Sequence, residues 1–197
     1  ETRAQTLETF CMLRQQKEQC RSLADYVAPK STGLTDYIGA FAVSAGHEID
    51  VLAEKYKREN DDYMSIMTKA IGDRLAEGLA EMMHKRVRDY CGYGRTENLT
   101  SDQLIREEYR GIRPAPGYPA CPEHTEKVKL MRLLEAAKNS GVTLTENMAM
   151  APASSVSGYY FNYDDAKYFT VSQLGRDQIE DYAKRKGMSV AEVEKWL

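Results

Sequence analysis

The chain of 197 residues carries a formal net charge of -3, with 42% hydrophobic and 29% charged residues and its basic side chains interleaved among acidic ones. That balance describes one globular domain with a substantial core. It excludes a basic surface for nucleic acid, a membrane-spanning apolar run and a charged-then-apolar leader, so neither nucleic acid nor membrane is expected as a partner and the cytoplasm is the default location.

In chain order, residues 4 to 20 read as a helix, with Leu7, Phe10, Met12 and Leu13 on one apolar face. LADYVAPK (23 to 30) and DYIGAFAVSAG (36 to 46) are rich in β-branched and aromatic residues and read as a hairpin or two neighbouring strands joined by STGLT. A helix covers about 48 to 58. From 61 to 89 a longer one follows an Asp-Asp start, and its Met64, Met67, Ile71, Leu75, Leu79 and Met82 recur at three- and four-residue steps as the packed face. Ser101 opens a short helix. After a loop, His124 to Asn139 reads as a helix with Val128, Met131, Leu133 and Leu134 inward, ended by Gly141. NMAMAPASSVSGYYFNYDDAKYFTV (147 to 171) reads as a strand, a turn and two strands hinged at Asn162 to Ala166. The end forms two short helices broken at Gly187, the second opened by a Ser189–Glu192 capping box. The expected class is α+β: several helices, one of them long, with a small twisted, mainly antiparallel sheet in a single domain.

The segment YRGIRPAPGYPACPEH (109 to 124) stands apart, because it holds four of the chain's six prolines. Each proline fixes its own φ and biases the preceding residue towards extended backbone, so Arg113, Ala115, Tyr118 and Cys121 are held out of helix. A flexible turn would connect the same elements. A stiff loop is explained best by a need to hold backbone amides, carbonyls and a few side chains in fixed positions.

Other chemistry is thinly represented. Cys121 and His124 form CxxH, but His47, His84 and Cys91 supply no further ligands at metal spacing. Cys11, Cys20, Cys91 and Cys121 form no CxxC pair, which favours reduced thiols. Neither a nucleophile-elbow triad nor GxGxxG is present. The aromatics Tyr159, Tyr160, Phe161, Tyr163, Tyr168 and Phe169 fit sheet packing more readily than a ligand box. Periodicity places Glu77, one turn from Glu81, on the solvated side of the long helix.

RGIRPAPGYPACPEHTEK (110 to 127), MAPASSVSGYYFNYDDAKYFTV (150 to 171) and RDQIEDYAKRKGMSVAEVEKWL (176 to 197), supported by ADYVAPK, DYIGAFAV and DRLAEGLAE, closely resemble the C-terminal activation domain of cobalamin-dependent methionine synthase. The resemblance runs through essentially the whole chain. It implies binding of S-adenosylmethionine, whose methyl group restores oxidised, inactive cob(II)alamin once an electron arrives from flavodoxin or a flavoprotein reductase. The cobalamin would belong to a separate module of the same polypeptide, and zinc only to the remote homocysteine module. Arg113 matches the arginine that holds the ligand's carboxylate, and Ala115, Gly117 and Tyr118 match loop positions that contact it largely through backbone. Glu77 and Glu107 match acidic positions near the ammonium and sulfonium, which overrules the solvated reading of Glu77. Tyr168 matches a tyrosine beside the sulfonium, and Phe169 stands where some relatives have a second tyrosine. No catalytic acid, base or nucleophile is implied, since a sulfonium methyl is already electrophilic and positioning suffices. An aspartate of the family's N-terminal portion would lie before Glu1, so the chain is expected to be a piece of the module. A contrasting reading, from the prolines alone, is a non-catalytic interaction domain that presents the loop to an aromatic-lined groove.

Overall fold

The computed structural model describes residues 4–16 and 19–197. It bears out the α+β class, and by contacts the chain divides into two compact units. The first comprises the chain up to Ala40, Arg110–Leu133 and Gly158–Leu197; the second comprises Phe41–Tyr109 and Leu134–Ser157.

In the second unit, α1 (His47–Arg58) packs on α2 (Asp62–Cys91), followed by the short α3 (Ser101–Ile105) and α5 (Ala136–Asn139). Asp61 caps α2 by accepting from the Met64 amide at 2.9 Å, and Gly92, at φ 95°, ends it. The face that α2 buries is not the one its bulky residues suggest. Ser65, Thr68, Gly72, Ala76, Ala80, His84 and Arg88 are inside, whereas Met64, Met67, Ile71, Leu75 and Met82 are exposed. Small side chains let two helix backbones approach closely: a Cβ on Gly72 would stand 2.8 Å from the Ile49 side chain of α1. Both stripes have helical spacing, so periodicity alone favoured the more hydrophobic one. The expected helix over 48 to 58 and the long helix itself are both present.

β1 (Gly39–Ser44) pairs with β4 (Ser155–Tyr160), and β2 (Thr143–Leu144) pairs antiparallel with β3 (Met150–Ala151) in the register Thr143↔Ala151. In the second unit the β1–β4 ladder is extended by the Ala45 amide donating to the Ser154 carbonyl at 3.0 Å. In the first unit Gly39 lies flat against Tyr160, where a Cβ would approach the ring to 3.0 Å.

The first unit holds α4 (Glu126–Leu133), α6 (Arg176–Lys186) and α7 (Val190–Trp196) around a core that includes Leu13, Leu23, Ile112, Leu130, Tyr159, Phe161, Tyr182 and Val193. Gly187, at φ 68°, separates α6 from α7, and the Ser189–Glu192 capping box is formed as expected.

Several expected elements are replaced. The described part of residues 4 to 20 is not helical; Lys17 and Glu18 lie outside the described residues. Arg14 bridges Ser22, and the Cys11 amide donates to Glu126 Oε2 at 3.1 Å, so partners distant in sequence take up the backbone groups that a helix would have paired internally. Leu23–Tyr26 is a 3-10 turn with a Ser22 capping box rather than a strand. α3 does open at Ser101 as expected, and Thr100 caps it through a box with Gln103. The helix expected over 124 to 139 breaks at Glu135, whose φ is 46°, and buries Leu130 and Met131 while Val128 and Leu133 face outward. The last expected strand, after Ala166, does not form. Its Val171 amide donates to the Pro119 carbonyl at 2.7 Å, and proline has no N–H with which to return a ladder bond.

Candidate functional site

The proline segment lies in the first unit and is tied along its length by backbone bonds. Ile112 and Phe161 exchange two of them, at 2.9 and 3.0 Å, and the Tyr159 amide donates to the Pro114 carbonyl at 2.9 Å. Ile112 and Pro114 are therefore buried against β4 and its continuation, with the partly exposed Arg113 between them, as strand alternation requires. Gly111 adopts φ 87° with the Phe161 carbonyl oxygen 2.4 Å from where a Cβ would sit, so no other residue fits that crossing.

Beyond Arg113 the chain tightens. The Tyr118 amide donates to the Ala115 carbonyl at 3.2 Å, the Cys121 amide to the Tyr118 carbonyl at 2.8 Å, and the Gly117 amide to the Cys121 carbonyl at 2.8 Å. Gly117 sits at φ 91° directly over the His124 ring, 2.6 Å from any added Cβ. Pro116 and Ala120 are buried and Tyr118 is exposed, so the turn presents its Gly117–Tyr118 edge outward. Burial of Pro114 and Pro116 also removes them from any aromatic-lined groove, which counts against the interaction-domain reading.

Tyr168 joins this loop directly: its hydroxyl accepts the Arg113 amide at 3.0 Å. Its own segment is held by Tyr26, whose hydroxyl donates to the Lys167 carbonyl at 3.0 Å and whose ring meets Phe161, Tyr163 and Phe169 with centroids 6.0 to 6.3 Å apart. Phe169 is buried in that cluster, where it supports the segment, while Tyr168 remains partly exposed. The aromatic group thus divides between packing and an outward tyrosine.

Of the expected site residues, Arg113, Ala115, Gly117, Tyr118, Tyr168 and Phe169 come together in the first unit. Glu77 and Glu107 belong to the second. Glu77 is exposed and pairs with Arg74 at 3.0 Å; Glu107 is exposed after α3, with φ 55°.

Beneath the loop lies a group that sequence reasoning missed. Glu123, Glu126 and Lys186 are almost wholly buried together. Lys186 Nζ donates to Glu123 Oε2, to Thr125 Oγ1 and, at 2.9 Å, to Glu126 Oε1. The Tyr182 hydroxyl contacts Glu123 Oε2 at 3.1 Å and the Cys11 carbonyl at 3.2 Å. Burial alone would raise the Glu123 carboxyl, but hydrogen bonds from Lys186 and Thr125 outweigh it and hold the group below its ordinary range. Burial likewise works against the Lys186 ammonium, yet its bonds to the two glutamates leave it raised. Burial, with the charges of Glu126 and Glu123, pushes the Cys121 thiol up to about 12, so it is inert. His124 and Lys127 are both lowered, chiefly by burial, and the lysine reaches His124 Nδ1 at 3.1 Å. Only the Glu123–Glu126 spacing hinted at this cluster; Lys186 ends a KRK run that reads as a solvated helix end. Among the described residues, no group of three or more His, Cys, Asp or Glu could hold a metal ion.

Residues 1–187 match the model of the vitamin B12 dependent methionine synthase activation domain. The chain belongs to that family. A crystal structure of the MetH reactivation domain bound to AdoHcy superposes on the whole chain with a TM-score of 0.96 at 57% sequence identity. The chain spans 62% of the length of that solved chain. The proline loop, Tyr168 and the buried glutamates all fall inside the span that matches the activation-domain family.

Proposed function

We propose that this chain is the S-adenosylmethionine-binding part of a methionine synthase reactivation module, and that it offers the ligand's methyl group for reductive methylation of inactive cobalamin. One observation carries the reading: a relative of 57% identity and near-identical fold holds AdoHcy, which is what S-adenosylmethionine becomes on losing that methyl.

The loop fits such a ligand. Arg113 projects from a strand-like segment fixed on both sides, and its planar guanidinium suits a carboxylate. Ala115, Gly117 and Tyr118 offer carbonyl oxygens, while the Gly117 and Tyr118 amides are spent on fixing the turn before binding, so little entropy is lost when the ligand arrives. Tyr168 brings its hydroxyl to the same loop, and an aromatic ring beside a ligand's sulfonium favours its charge. Cobalamin, carried by a separate module of the same polypeptide, supplies the reduced cobalt that accepts the methyl. Flavodoxin or a flavoprotein reductase supplies the electron. The chain's own work is to bind, orient and keep water from the methyl, with no acid, base or nucleophile of its own. A cytoplasmic location accords with this role; no helix among the described residues is long and apolar enough to cross a membrane.

Titration calorimetry with S-adenosylmethionine on the native chain and on Arg113→Ala tests the assignment. We expect the variant to bind at least about tenfold more weakly, the loss of a charge-assisted contact. Equal affinity in the two proteins would remove the carboxylate role, and no heat from either would remove the ligand itself.

A further inference from the structure

We infer that Lys186, the last residue of helix α6, is a positioning residue for ligand binding: it fixes the root of the proline loop through Glu123 and Glu126. The inference rests on the reading of that loop as the ligand's cradle.

The chain of contacts is short. The Gly117–Tyr118 edge is shaped by Cys121, whose carbonyl accepts from Gly117 and whose amide donates to Tyr118. Two residues on, Glu123 turns its carboxylate into the interior, where Oε1 accepts the Thr125 amide at 2.8 Å and Oε2 takes Lys186 and Tyr182. Glu126, at the start of α4, takes the same ammonium and also holds the Cys11 amide. Lys186 thus spends its three donors on one hydroxyl and two carboxylates that flank the loop's exit, and its side chain is 4% exposed. Two buried carboxylates three residues apart repel and resist burial unless cations stand beside them; Glu126 also has Lys129 at 2.9 Å, so it is Glu123 that depends on Lys186. Without Lys186 the cheapest relief is for Glu123 to swing towards water, and its backbone is the anchor of the Cys121 turn. The site would then lose preorganisation while the rest of the unit stays folded.

Three variants separate positioning from general destabilisation. Lys186→Met removes the cation on Glu123 and leaves Lys129 on Glu126. Tyr182→Phe keeps Lys186 and removes only the hydroxyl that lies between Glu123 and the Cys11 carbonyl. Val193→Ala opens a small cavity in α7, where Val193 is fully buried, and serves as the control. Each is measured below its own melting transition by calorimetry with S-adenosylmethionine and by hydrogen exchange at the Gly117 and Cys121 amides. We expect binding weaker by about tenfold or more in Lys186→Met and by about threefold in Tyr182→Phe, with unchanged affinity in Val193→Ala. The two amides should exchange faster in the first two variants only. Should Lys186→Met prove too unstable to assay, Tyr182→Phe carries the test. Loop amides that exchange alike in all three proteins would overturn the inference. Faster exchange in a protein whose native form binds no S-adenosylmethionine would instead leave the positioning intact and sink the ligand reading.

Discussion

Arg88 and Lys186 are both buried cations, each beside a carboxylate, and they are solvated by the protein in opposite ways. Lys186 meets three acceptors with its three donors. Arg88 bonds Glu97 through Nε at 2.9 Å and lays its guanidinium over the Tyr109 ring, 4.0 Å from the centroid, but its two Nη atoms are buried with no hydrogen-bond partner. Glu97 is partly exposed and also has Lys85 at 3.9 Å, whereas Glu123 is sealed in with Lys186 and the equally buried Glu126 takes both Lys186 and Lys129 at 2.9 Å. A compact point charge can be saturated by a tripod of oxygens; a planar fork stacked on a ring leaves donors unused. What matters for stability is therefore what each cation leaves behind on removal.

The largest expected effect is at Lys186. Lys186→Met strands the buried Glu123, while Glu126 keeps Lys129 and the Cys11 amide, and it should cost about 3–5 kcal/mol in urea unfolding. Arg88→Met strands one carboxylate that water and Lys85 can reach, and it also removes two unsatisfied donors, so about 1–2 kcal/mol is expected. Equal losses would break the comparison, since they would mean that cation burial alone, not the fate of the partner, sets the cost.

A pH series sharpens it. Glu123 is depressed in the folded protein, so the unfolded chain binds more protons in acid, and the cluster's stabilisation is present above the ordinary carboxylate range and lost as pH falls through the folded value. Lys186 is raised, so its share is present below the ordinary lysine range and lost only as pH climbs past the folded value. In Lys186→Met the burial of Glu123 is opposed only by its remaining hydrogen bonds, chiefly from Thr125, and its carboxyl moves up instead. As pH falls from neutrality towards the ordinary carboxylate range the folded variant then takes up a proton that the native protein does not, and the stability gap between the two should narrow. A gap that stays constant over that range would deny the electrostatic link.

Gly117→Ala asks whether the turn above the cluster is as fixed as the carboxylates below it. The position needs φ 91° and has the His124 ring in the space a methyl would fill. A loss of about 1–3 kcal/mol is expected, together with weakened S-adenosylmethionine binding. The sequence declared this part of the molecule openly, because prolines and glycines act locally and their φ constraints survive in any fold. It declared the long helix α2 as well, from caps and period. It could not say which of two helical stripes would pack: the choice of Gly72, Ala76 and Ala80 over Ile71 and Leu75 depends on how closely another helix approaches. The strap from Phe10 to Gln15 was misread as helix for a related reason, since its backbone partners, Glu126 and Tyr182, are more than a hundred residues away. The Lys186 cluster was equally hidden, because a helix-terminal lysine reads as solvated until tertiary structure seals it.

The smallest expected effect is at Tyr168, and it contrasts with Tyr182. Both hydroxyls meet main-chain groups, Tyr168 at the Arg113 amide and Tyr182 at the Cys11 carbonyl. Tyr182 is fully buried, and its burial, together with the charge of Glu123, pushes its hydroxyl well above the ordinary phenol range. Tyr168 is partly exposed, so in Tyr168→Phe water can replace the lost acceptor at Arg113, and a stability change of about 0.5 kcal/mol is expected. The ring that faces the loop is retained. A cation–π contribution to the sulfonium should therefore survive, with affinity for S-adenosylmethionine lower by no more than about fivefold, the worth of one neutral hydrogen bond. Calorimetry that shows a loss comparable to Arg113→Ala would mean that the hydroxyl, through its hold on the Arg113 amide, sets the position of the guanidinium as well as its own.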